Sequence, residues 1–155
     1  MKKEISESKI YEFHRLYYRI NGLCGRLETM QEVNGYLFKV LHALLVSEIH
    51  TQKDIMQRYE MPKQTINNVI LSLQKQGFIQ ALPSPNDKRE KIINLTPSGE
   101  SYAEKIIAKY VAFEKKVYQK LGAQKLERLI EIFKDFEVAF SQTLEQEISN
   151  QKGQK

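Results

Sequence analysis

Gln64, Asn67, Asn68, Leu71 and Lys75 follow one another at steps that an α-helix gathers onto one side. At about 100° per residue these five share one arc, and Ile66, Val69, Ile70 and Leu73 share the opposite one. A primary amide offers a donor and an acceptor side by side, the pattern that pairs bidentately with adenine in a duplex major groove. Lys63 and Thr65, near the start of the same helix, are placed to reach phosphates or base edges. No acidic residue occurs from Pro62 to Gln76, so nothing on this helix would repel a phosphate. Taken alone, such a face is better explained by solvation.

A second cluster changes the balance. Lys88, Arg89 and Lys91 stand against Asp87 and Glu90 at the tip of what reads as a β-hairpin. A cationic finger beside a groove-reading helix can reach the neighbouring minor groove, where narrow A·T tracts concentrate negative potential. Residues 52–91 hold seven basic and four acidic side chains, most of the chain's net charge of +5. A basic patch of this size points to a polyanionic partner, here double-stranded DNA.

Other chemistry is thinly represented. No paired Ser/His/Asp constellation, phosphate-cradling glycine loop or spaced metal motif is present, so neither an enzyme nor a cofactor is expected. Cys24 could act as a redox sensor near Tyr17, Tyr18 or Tyr36, with Arg26 close in sequence. A reactive thiol needs a lowered pKa and access. Cys24 falls on an apolar stripe, where cysteine is ordinarily inert packing. Cys24 and Glu28 lie one turn apart and His42 could join them, but a zinc site needs about four ligands and no metal is expected. His14 and His50 have no nucleophile beside them in sequence.

A single cysteine excludes an internal disulfide and suits a reducing compartment. No apolar run approaches the roughly 18–20 residues of a membrane helix, and the segment after Lys2 and Lys3 lacks the apolar core of a signal peptide. A cytoplasmic protein with no membrane partner is expected.

The elements that must position these residues follow from periodicity. Phe13, Leu16, Tyr17, Ile20, Leu23, Cys24 and Leu27 form one apolar stripe on a first helix. A second helix runs from Gly35 to about Ser47. Thr51 caps a third, with Asp54 three residues on, and Pro62 suits the first position of a fourth. Gly77 reads as its stop. Residues 78–82 and 91–95 are β-rich and make the hairpin, with Pro83 excluded because proline lacks the ladder donor. Thr96-Pro97 restarts a helix whose buried side is Tyr102, Ile106, Tyr110, Phe113, Val117 and Leu121. Gly122 breaks it, and a last helix carries Leu126, Leu129, Ile130, Phe133, Phe136, Phe140 and Leu144.

The class is therefore mainly α with a small β-hairpin wing, a winged helix-turn-helix. Residues 1–34 read as an N-terminal dimerisation helix, 35–98 as the winged DNA-binding domain, 99–148 as C-terminal dimerisation helices and 149–155 as a frayed tail. The dimer is a physical expectation. A winged domain of about 45 residues has too little surface to cover three long apolar stripes, each buried side chain being worth roughly 1.5–3 kcal/mol.

The run Asn86-Asp87-Lys88-Arg89-Glu90-Lys91, continuing through Leu95-Thr96-Pro97-Ser98-Gly99, resembles the wing and following helix start of the MarR family of transcriptional regulators. Met61-Pro62-Lys63-Gln64-Thr65-Ile66-Asn67-Asn68, continuing to Gly77-Phe78-Ile79, is similar to its recognition helix and first wing strand. The likeness covers residues 11–144. It implies that Arg89 is the wing arginine that enters the minor groove and that Asp87 orients it. It also implies an intertwined homodimer, a pseudo-palindromic operator, repression, and a small-molecule effector, for which an aromatic ligand bound among Tyr and Phe side chains is the reading. Metal-sensing relatives carry histidines where this chain has Ala108 and Ala112. Pro62, Asn68 and Leu71 depart from the family's usual residues. Two alternatives stand beside the reading: a redox-sensing regulator acting through Cys24, and a winged-helix module that binds protein instead of DNA.

Overall fold

The computed structural model describes residues 5–47, 50–84 and 91–153. Their elements are α1 (Glu7–Gln31), α2 (Gly35–Leu45), α3 (Gln52–Tyr59), α4 (Lys63–Lys75), β1 (Ile79–Pro83), β2 (Lys91–Leu95), α5 (Pro97–Leu121) and α6 (Ala123–Gly153). The order is the expected one, mostly helical with a two-stranded antiparallel hairpin. Backbone contacts divide the chain into two units, Met1–Lys109 and Tyr110–Lys155, with the boundary inside α5.

In the first unit α2 packs on α3, α4 and β2, while α3 packs on α4 and β2 and α4 on β1. Val40, Leu41, Ala43, Ile55 and Ile66 are completely buried, and Leu73 and Ile93 nearly so. Asn34 caps α2 by accepting from the Tyr36 amide at 2.7 Å. Thr51 caps α3 in the same way, accepting from the Asp54 amide at 3.1 Å, and its hydroxyl donates to the Asp54 carboxylate at 2.6 Å. Each cap satisfies an amide that the helix itself leaves unpaired. His42 Nδ1 and the Tyr59 hydroxyl, 2.9 Å apart, tie α2 to α3.

The turn from α3 to α4 is set by Glu60, in the left-handed region at φ 46°, and by the Met61 amide donating to the Met56 carbonyl at 3.1 Å. Met61 is buried beneath it. Pro62 takes the position before the first helical residue, one earlier than expected, and has no side chain to cap with. At the far end Gly77 (φ +75°) donates to the Gln74 carbonyl, and the Phe78 amide donates to the Leu73 carbonyl. This pair of bonds is the Schellman arrangement that glycine permits.

The hairpin pairs Ile79 with Leu95, Ala81 with Ile93 and Pro83 with Lys91. Pro83 thus belongs to β1, contrary to the expectation that it could not extend the strand. It sits at the last position, where the missing N–H ends the ladder without interrupting it. Residues just before α3 join this sheet. The Ile93 amide donates to the His50 carbonyl at 2.6 Å, and Thr51 bridges Ile92.

At the start of α5 the Thr96 hydroxyl accepts from the Gly99 amide at 3.1 Å and donates to the Gly77 carbonyl at 2.8 Å. The Thr96 amide donates to the Phe78 carbonyl at 3.0 Å. Gly99 lies so close to this same carbonyl that a Cβ would overlap it. Phe78 also stacks on Tyr102, with ring centroids 4.3 Å apart and planes inclined by 11°. The covered side of α5 in this unit is Ala103, Ile106 and Ile107, with Tyr102 only partly buried.

The second unit holds the end of α5, a break at Gly122 (φ +88°) and α6. Phe113 and Val117, expected on a buried side, are exposed, and α6 buries none of its residues. Nor does α1 in the first unit. These stripes are amphipathic as expected, and most of their large apolar residues stay exposed in the single chain. The last helix also runs through Gly153, past the frayed tail expected from Ser149. Glutamine and lysine are good helix formers, so an unanchored polar end still continues the helix.

Candidate nucleic-acid interface

α4 turns Ile66, Ile70 and Leu73 into the core and leaves Gln64, Asn68, Leu71 and Lys75 exposed, with Thr65 and Asn67 half-buried. Lys63 opens the helix and is exposed. Gln64 Nε2 donates to Asn68 Oδ1 at 3.0 Å, one turn away. The pair holds both amides in a fixed relation and leaves the Asn68 nitrogen and the Gln64 oxygen for a partner outside the protein.

Between α3, α4 and the hairpin lies an open groove of about 630 Å³. Lys53, Lys63 and Lys91 line it together with Asn67 and Leu71, over apolar residues that include Met56, Ile70 and Ile93. The fold therefore brings Lys63, Asn67 and Lys91 together, whereas Gln64, Thr65, Asn68 and Lys75 do not line this groove. Gln52, Lys53 and Gln74 border it without having been singled out from sequence. For Lys53 the signal was available, since it is one of the seven cations of residues 52–91.

Among the described residues Lys53, Lys63, Lys75 and Lys91 have no carboxylate partner; the one ion pair is Lys9 with Glu12 on α1. The positive end of α4 carries no acid in its first turn, so the helix dipole and Lys63 act in the same direction on an approaching anion. Lys91 begins β2 opposite Pro83. Asp87, Lys88 and Arg89 lie outside the described residues.

Cys24 lies on α1 and is exposed, where the sequence had suggested inert packing; its apolar neighbours Ile20 and Leu23 are uncovered with it. No group of three His, Cys, Asp or Glu residues that could hold a metal occurs among the described residues. No helix among them is long and apolar enough to cross a membrane.

Residues 36–91, which take in α2 from its second residue together with α3, α4 and β1, match the model of the MarR family. The chain is 33% identical over 113 residues to the HTH-type transcriptional regulator YdgG of Bacillus subtilis, spanning 66% of this chain and 74% of that one. The chain belongs to the MarR family. Its fold agrees, with a TM-score of 0.71 and 29% identity to a MarR family regulator from Neisseria meningitidis over 87% of this chain and 97% of that one. The S. aureus MepR–DNA complex has the same fold, at a TM-score of 0.67 and 19% identity over 88% of this chain and 99% of that one. As a MarR family transcriptional regulator the protein carries α3 and α4 as its helix-turn-helix and β1–β2 as its wing, and the family is one of regulators, not enzymes.

Proposed function

We propose that the protein is a repressor that binds a pseudo-palindromic operator as a homodimer. The observation that carries this reading is the outward side of α4. It holds exposed amides with Lys63 and Lys75 at its ends and no carboxylate. On this reading Gln64, Asn67 and Asn68 address base edges, Thr65 and the lysines address phosphates, and the wing grips the flanking duplex. Arg89 enters the minor groove, oriented by Asp87, with Lys88 and Lys91 on the backbone beside it. The MepR–DNA complex shares this fold, which supports the same docking here.

The dimer rests on the uncovered stripes. Phe13, Leu16, Ile20 and Leu23 on α1, and Leu129, Ile130, Phe133, Phe136, Phe140 and Leu144 on α6, are all exposed in one chain. A second copy would bury them and set two recognition helices about 10 bp apart, or a multiple of that. A small aromatic effector is the accompanying proposal, supported by the aromatic side chains that α1 and α2 present, among them Phe13, Tyr17 and Tyr36.

The test is a salt titration of binding to duplexes selected from the source genome, with Arg89→Ala beside the parent. Counterion release gives a slope of roughly 0.9 log units per neutralised phosphate. The parent is expected to show a steep slope and Arg89→Ala a broad loss of affinity across sequences. Equal affinity of the two at physiological salt would remove the wing from the reading.

A further inference from the structure

Leu71 is the one large apolar side chain left exposed from Gln52 to Gln76, at 55% of its surface. The core does not need it, since Ile66, Ile70 and Leu73 already fill the inner side of α4. By helical angle it lies within the outward arc, between Asn67 and Asn68 one turn before and Lys75 one turn after. It lines the groove together with Met56 and Ile70, so it has apolar residues on one side of that groove while more than half of its surface stays open.

We propose that Leu71 reads a thymine, its isobutyl group packing on the C5-methyl in the major groove. The inference rests on the DNA reading above and deepens it. Every other base-edge feature of that groove is a hydrogen-bond donor or acceptor; the thymine methyl is the apolar one. α4 carries no arginine, and its lysines stand at its ends, so the centre of the face lacks the usual reader of guanine. Amides suited to adenine flank the leucine instead. Four residues of helix advance about 6 Å, which places the thymine within about two base pairs of the adenine addressed by Asn67. The half-site is therefore A·T-rich at its centre, with a methyl requirement that hydrogen bonding alone does not impose.

The experiment starts from random duplexes enriched on the full-length protein. Each thymine of the enriched half-site is then replaced by deoxyuridine, which deletes the methyl and keeps every hydrogen bond. One thymine per half-site is expected to show a loss of about fourfold on replacement, or about fifteenfold with both half-sites changed, from the transfer value of one methyl group. Leu71→Ala binds the thymine duplex more weakly and loses the distinction, whereas Leu71→Met keeps it; a double-mutant cycle isolates the coupling. Enrichment without sensitivity at any thymine, or unchanged discrimination by Leu71→Ala, overturns this assignment alone. Failure of the parent to enrich any duplex overturns the DNA reading, and the assignment with it.

Discussion

Replacing Gly99 by alanine sets two effects of opposite sign against each other. Gly99 is the third residue of α5, and inside a helix alanine is favoured over glycine by about 1 kcal/mol. Propensity alone therefore predicts a more stable protein. The structure predicts the reverse, because the new Cβ would overlap the backbone carbonyl of Phe78, which is no flexible side-chain end. That carbonyl also accepts from the Thr96 amide at 3.0 Å, so it cannot withdraw without loosening the junction between β2 and α5. Overpacking of this kind costs typically about 1–3 kcal/mol and sometimes more. Because the overlap is with backbone, the upper part of that range, about 2–3 kcal/mol, applies, and set against the propensity gain the expected net is a destabilisation of about 1–2 kcal/mol. In a protein of this size that lowers the thermal midpoint by roughly 2–8 °C. Urea unfolding followed by circular dichroism measures the change in free energy at constant slope. A midpoint equal to or above the parent's would show that α5 can slide away from Phe78, and would refute the tight junction.

Further outcomes follow from other contacts. Tyr59→Phe removes the 2.9 Å bond to His42 and is expected to lower stability by about 1 kcal/mol, as for a typical part-buried hydrogen bond; an unchanged urea midpoint would mean that water replaces the hydroxyl. Phe133→Glu places a charge in the uncovered stripe of α6 and is expected to shift sedimentation from dimer to monomer with α-helical content retained in large part. A variant that sediments like the parent would remove α6 from the interface.

The helix-turn-helix was legible because its signals are local. Thr51 with Asp54 marks a start and Gly77 marks a stop, and the caps and turn formed as those residue types dictate. Pro83 was misplaced by one rule applied too broadly, since proline bars the middle of a ladder and not its end. The groove was not legible in the same way. It depends on Lys53, Lys63 and Lys91, which sit on three different elements, and no periodicity within one element reports their convergence. The amphipathic stripes of α1 and α6 could be read as apolar, but a pattern within one chain does not say whether the chain itself covers them. In the fold they stay exposed.

The backbone just ahead of α3 runs as an extra rung beside β2, through the Ile93–His50 and Thr51–Ile92 pairings. The hairpin is consequently rooted in the same segment that launches the first helix of the reading head. β2 and α3 share one anchor, so an insertion or strand slip at His50 or Thr51 would shift both at once. Such a lesion would alter the reach of the hairpin while leaving every side chain on α4 unchanged.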